Sequence, residues 1–140
     1  MWSRISLRAI LIAFIAEIAA DFIIQNLIMM FFAQGLLPSG DPTEQEMRGV
    51  IKTVSAQSNY LLTTLVFGTA TTIGGGYFAA RLAKEFPYYN GLGIGIVGIL
   101  FAAVVSTSGP AWFDALGFLM SIPASIYGAH LAKKHMAIAR

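Results

Sequence analysis

Four long apolar runs dominate the chain, at about Leu7 to Ala33, Asn59 to Leu82, Tyr89 to Ser108 and Ala111 to Leu131. Each is close to the ~20 residues a helix needs to cross a hydrocarbon core of about 30 Å. Lipid offers the backbone no hydrogen-bonding partner, so only helices and closed barrels span it. Barrel strands would alternate apolar and polar positions, and these runs do not. The pattern therefore predicts an all-α membrane protein: a four-helix transmembrane bundle forming a single domain over residues 1–140.

The connections differ in length. Gln34 to Ser58 is the longest, and it opens as a loop at Leu37-Pro38-Ser39-Gly40. Asp41-Pro42-Thr43-Glu44 then reads as a helix start, with Asp41 as N-cap and Pro42 in the first helical position. Met47, Val50, Ile51 and Val54 follow at i, i+3, i+4, i+7, the spacing of a short amphipathic helix. Such a helix would lie on the bilayer or cap the bundle. Lys84 to Asn90 and Ser108-Gly109-Pro110 are short turns, which make the last three spans sequential antiparallel neighbours.

Charge orients this arrangement. With the N-terminus inside, the inner segments carry Arg4, Arg8, Arg81, Lys84, Lys133, Lys134 and Arg140, and the outer ones only Arg48 and Lys52. Positive residues collect on the cytoplasmic side, so both termini are expected there. Trp2, Tyr77, Tyr88 and Tyr89 fall near the inner boundary, Tyr60 and Trp112 near the outer one. Arg4, Arg8 and Ile18-Ala19-Ala20 also resemble a signal peptide with its cleavage site, but the apolar run resumes at Phe22-Ile23-Ile24, as a full span does. The expected location is a bacterial cytoplasmic (inner) membrane.

Composition agrees. The chain of 140 residues is 56% hydrophobic and 11% charged, too little charge to cover the surface of a small soluble domain. Its bases lie at the ends of apolar runs rather than on one face, which argues against nucleic acid as a partner. The lipid bilayer, further copies of the chain or other membrane subunits are the expected partners. Absence of cysteine excludes disulfides, thiolate catalysis and Cys-based metal sites; no cofactor is expected.

Small residues recur on three of the runs: Thr64, Gly68, Thr72, Gly76 and Ala80, with Gly74 and Gly75 beside them; Gly91, Gly95, Gly98 and Ala102; and Gly117, Ser121, Ser125 and Ala129. In lipid, close backbone approach supplies much of the attraction between helices. Gly68, Gly76, Gly95, Gly98 and Gly117 are therefore expected as packing positions. Gly93 to Gly98 matches the dinucleotide-binding fingerprint, but that motif has meaning only between a strand and a helix, and here it lies inside an apolar run.

The polar residues inside the first run are the candidates for chemistry. Glu17 and Asp21 lie one turn apart, and Gln25 continues the stripe about 80° round from Glu17 at about 100° per residue. Ala13, Ala16 and Ala20 border the stripe, and Ile12, Ile15, Ile23 and Met30 form the opposite face. An ionised carboxylate at mid-membrane costs roughly 2.5–3.5 kcal/mol or more, and two of them repel. At least one is expected as the neutral acid unless a cation or a partner's base lies between them. Glu17, Asp21, Gln25 and Thr72 are thus the expected proton, cation or partner site, with Thr69, Thr71, Ser121 and Ser125 as further hydrogen-bonding neighbours. The competing expectation is a pair of neutral acids that only pin helices together.

Other candidates carry less. Asp114 suits the first turn of the last helix. His130 and His135 do not share a helix face, so no metal site is expected. Pro123 removes a backbone donor within the last helix. No Ser/His/Asp set shares a membrane depth, so no enzyme is expected. Ala16-Glu17-Ile18, a Glu in the first of four helices, resembles the small multidrug-resistance transporters over that stretch alone; the long first outer loop and the second acid depart from their pattern. The expectation for function is an oligomeric transport or channel component with an intramembrane acidic site, or alternatively a non-catalytic accessory subunit of a larger membrane complex.

Overall fold

The computed structural model describes residues 5–38, 40–105 and 110–138. Among these it is all-helical, 87% helix with no strand. The five helices are α1 (Leu7–Ala33), α2 (Glu44–Ser55), α3 (Ser58–Ala83), α4 (Pro87–Val105) and α5 (Ala111–Ile138). By length and composition, α4 and α5 are apolar enough to cross a membrane, and only 22% and 28% of their apolar stretches are buried. Polar side chains interrupt the other two long helices: Glu17, Asp21, Gln25 and Asn26 in α1, and a series of threonines in α3.

α1 runs antiparallel to α3, and Ala13 and Ala79 share one apolar cluster. α3 and α5 are parallel: the space beside Gly76 is filled by Ser125 backbone, and Ala80 packs with Ala129 and Ala132. This α3–α5 contact is the most extensive in the fold, although the two helices are not consecutive. α4 returns antiparallel between them. The starts of α1 and α4 and the ends of α3 and α5 therefore meet at one end. Arg8, Arg81, Lys84, Lys133 and Lys134 belong to that end.

The turn expected there over Lys84 to Asn90 is shorter, because α3 ends at Ala83 and α4 already begins at Pro87. Lys84 and Phe86 have φ of 60° and 47°, a left-handed conformation that side chains disfavour. Pro87 then opens α4, where its missing N–H is harmless. Asn90, inside α4 and 1% exposed, holds the corner. Its Nδ2 donates to the carbonyls of Glu85 and Phe86, each at 3.1 Å, and its Oδ1 accepts from the Ser6 N–H at 2.8 Å.

α2 lies at the opposite end and buries Val50 and Val54 against Ile28, Ala33, Tyr60 and Leu61. Its N-cap is Thr43, not Asp41. Thr43 Oγ1 accepts from the Glu46 N–H, and Glu46 accepts from the Thr43 N–H at 2.8 Å. This reciprocal pair satisfies two orphan donors, more than a lone Asp could. α5 also continues beyond Leu131 to Ile138. Trp2, Arg4, Ser39, Ser108-Gly109 and Arg140 lie outside the described residues.

Candidate functional site

Glu17 and Asp21 sit near the middle of α1 and face α3. Glu17 is 8% exposed, and its Oε2 has no hydrogen-bond partner. The Thr72 hydroxyl lies beside the same carboxyl. Asp21 is half-buried, and its Oδ1 meets the hydroxyl of Thr71. That hydroxyl also reaches the Gly68 carbonyl at 2.8 Å.

Gly75 makes the room. A Cβ there would strike Glu17 Oε2, and it would lie 2.9 Å from Glu17 Cδ and 3.3 Å from Cγ2 of Ile94. The carboxyl is thus lodged where α1, α3 and α4 meet, against the bare backbone of Gly75. Apolar clusters close the seam on both sides. Ile10, Ala13, Ala79 and Ile94 lie towards the basic end; Ile28, Val54, Tyr60 and Leu61, with Phe113 of α5 beside them, lie towards α2. Beside the second cluster a mostly apolar cleft of about 350 Å³ is lined by Leu27, Ile28, Phe31, Phe32, Thr63 and Phe67.

The structure brings Glu17, Asp21 and Thr72 together. Gln25, expected with them, is a correction: it is exposed and does not join them, because its rotation of about 80° from Glu17 takes it off the buried face. Asn26 needs no second contact, because its Nδ2 donates to the Phe22 carbonyl at 2.7 Å. Ile12, Ile15, Ile23 and Met30 form an exposed face, while Ala16 is exposed rather than bordering the site.

The glycines divide. Gly76 and Gly95 lie at close approaches to α5, and Gly98 is 3.5 Å from Ser121 Oγ measured from a virtual Cβ. Gly68 and Gly117 are corrected: nothing lies within 4 Å of a Cβ at either. The tight contact instead includes Gly128, whose virtual Cβ would lie 2.8 Å from Tyr77 N. Its spacing of three from Ser125 was the available signal. Gly75 and Thr71 were legible only as neighbours of the stripe, since nothing in the spacing says which threonine faces an acid.

At the basic end, His130 and His135 diverge as their spacing implies. His130 Nδ1 lies 3.0 Å from the Tyr88 hydroxyl, and His135 Nδ1 lies 3.2 Å from that of Tyr77. Asp114 occupies the first turn of α5. Among the described residues no three His, Cys, Asp or Glu cluster as a metal site. No family model, curated protein or solved structure matches the chain.

Proposed function

We propose that this chain is a multi-pass membrane protein in which α1, α3, α4 and α5 all cross the bilayer, and that Glu17 and Asp21 form a proton or cation site in a small oligomeric transport or channel component. The observation that carries the site reading is the buried Glu17 carboxyl with an unpartnered oxygen. Buried polar atoms in native proteins nearly always have a partner, and a carboxyl inside a membrane is a functional feature by default.

The exposed apolar surface supports four spans rather than two. Ile15, Phe22, Met30 and Phe31 of α1 are 65–71% exposed, and Val66 of α3, Val104 of α4 and Leu119 of α5 are similar or more so. Water-soluble monomers do not carry an apolar surface of this extent, whereas lipid covers it at no cost. At about 1.5 Å per residue, the 27 residues of α1 and 26 of α3 reach about 40 Å. The meeting of four basic-flanked helix ends at one face supports cytoplasmic termini.

Exposed Gln25, on a face that would otherwise meet lipid, supports a neighbouring subunit there. It favours an oligomer, and it equally suits the second reading, an accessory subunit of a larger complex. Native mass analysis after gentle extraction separates them: copies of this chain alone favour the first, foreign subunits the second.

The direct test is proton and cation flux in proteoliposomes. Glu17→Gln and Asp21→Asn keep shape and polarity, so each should abolish flux while leaving the unfolding transition within about 1 kcal/mol, the scale of one neutral hydrogen bond. Unchanged flux in both variants refutes the site. Reporter fusions after Arg140 and within the loop before α2 should report opposite sides; the same side refutes the four-span arrangement.

A further inference from the structure

Resting on the membrane reading above, we propose that the ligand of the Glu17–Asp21 site is the proton rather than a metal cation, and that Thr71 is its positioning residue, reversing the direction of its hydroxyl when Asp21 gains or loses that proton.

The argument begins with donor counting. A threonine hydroxyl has one hydrogen. Thr71 Oγ1 contacts two acceptors, Asp21 Oδ1 and the Gly68 carbonyl. If Asp21 is a carboxylate, one hydrogen must serve both. If Asp21 carries a proton, its O–H donates to Thr71 Oγ1 and Thr71 donates to Gly68, so each contact has its own hydrogen. When the proton leaves Asp21, the Thr71 hydrogen turns from Gly68 to the carboxylate. Gly68 O can give up that contact because it is a helical carbonyl. No covalent bond other than the O–H of Asp21 forms or breaks.

Glu17 leads to the same ligand. Its orphan Oε2 lies in the space beside the Gly75 backbone, and a methyl group of Ile94 borders that same space. A dehydrated metal ion needs about six or more oxygen ligands, or keeps its water. The side chains beside the pair offer two carboxyls and the hydroxyls of Thr71 and Thr72, and Oε2 is buried without a partner. A proton needs no coordination shell and fits a carboxyl with one lodged oxygen. The groups that α3 and α4 place against the pair are Thr71, Thr72, Gly75 and Ile94, none titratable. Within α1 the two acids face only each other. The ion pair of the described residues is Arg48–Glu44 in α2, so among the described residues no base pairs with either carboxyl.

The experiment is infrared spectroscopy of the full chain in lipid bilayers, with ¹³C-labelled aspartate to separate the two acids. At neutral pH the protonated-carboxyl C=O band of Asp21 should be present, absent in Asp21→Asn, and insensitive to added sodium, potassium, magnesium or calcium. Thr71→Val should shift the band and Thr71→Ser should restore it. A band missing at neutral pH, or one removed by a cation at fixed pH, overturns the proton assignment; the latter leaves the transport reading intact. A band unmoved by Thr71→Val overturns the role of Thr71. If that variant does not fold, the wild-type band and its cation response still decide the ligand. Protonated acids without any proton flux would instead retain the proton site and refute the transport reading.

Discussion

α3 presents two seams that differ in what fills the space beside a glycine. Towards α5, Gly76 faces backbone: carbon and Cα of Ser125 lie 2.7 and 2.8 Å from a virtual Cβ. Towards α1, Gly75 faces a carboxyl group. Neighbouring glycines thus serve opposite ends. One lets two helices touch and leaves no polar atom orphaned there; the other holds two helices just far enough apart to lodge an acid. Small residues along a helix therefore do not mean one thing. What matters is whether the facing atom is fixed backbone or the far end of a side chain that can move.

The comparison breaks most sharply at the backbone seam. Gly76→Ala and Gly128→Ala place a methyl group into the facing helix, where neither main chain can yield without separating α3 from α5. Overpacking costs about 1–3 kcal/mol, at times more, so both should lower stability by at least that much in detergent unfolding. Gly68→Ala and Gly117→Ala meet open space and should be neutral or gain up to about 1 kcal/mol of helix propensity. Gly40 is a poor control, because its φ of 109° strains any replacement. Equal losses at all four helical positions would show that the two seams are not distinct.

The carboxyl seam should respond less and in a coupled way. Gly75→Ala forces Glu17 to move, and Glu17→Ala removes the obstacle. The double variant should recover part of the loss, with an interaction energy of about 0.5–3 kcal/mol in a double-mutant cycle. Strict additivity would mean that Gly75 does not make room for Glu17. Flux should fall in Gly75→Ala even where the fold survives.

The smallest effect lies outside both seams and sets their scale. The Thr43 hydroxyl and, after it, the Thr43 backbone N–H hold the Glu46 carboxyl below its ordinary value. A depressed folded value means that the contact contributes above the unfolded carboxylate value and is lost as pH falls through the folded one. Acidification should therefore loosen the first turn of α2, seen as faster amide exchange near Glu46, without opening the α3–α5 seam. Glu46→Ala should abolish that pH response; a response that persists assigns it to another group.

Much of this was legible in the residues. Apolar run length gave the helix boundaries to within a few residues at most ends, because the polar and Pro/Gly residues that interrupt an apolar run also end helices. The spacing of Glu17 and Asp21 put them on one side of α1, but the same stripe wrongly included Gln25, whose extra rotation of about 80° carries it to the exposed face. Spacing failed where partner geometry decides. Gly68 and Gly76 share a stripe, yet only Gly76 meets another helix, since helices that cross touch over part of their length. No pattern in α3 alone selects Thr71 over Thr69, as that choice belongs to the angle at which α1 packs. The α2 cap was misplaced by two residues because Asp41 and Thr43 are both capable, and Glu46 decides between them by answering Thr43.

The pairing of α3 with α5 also has a consequence for how the chain is made. If the long helices cross the bilayer as proposed, each is inserted as it is synthesised and can bind only what precedes it. α3 emerges with α1 already present, so the carboxyl seam is the first that can close. The backbone seam waits for residues beyond Pro123, because every buried position of α5 lies on that side. Until α5 is translated, Gly76 lacks the Ser125 backbone and Ala80 lacks Ala129 and Ala132, so the largest helix contact of the fold cannot form. A chain truncated before α5 should therefore keep its acid pair and lose the α3–α5 contact.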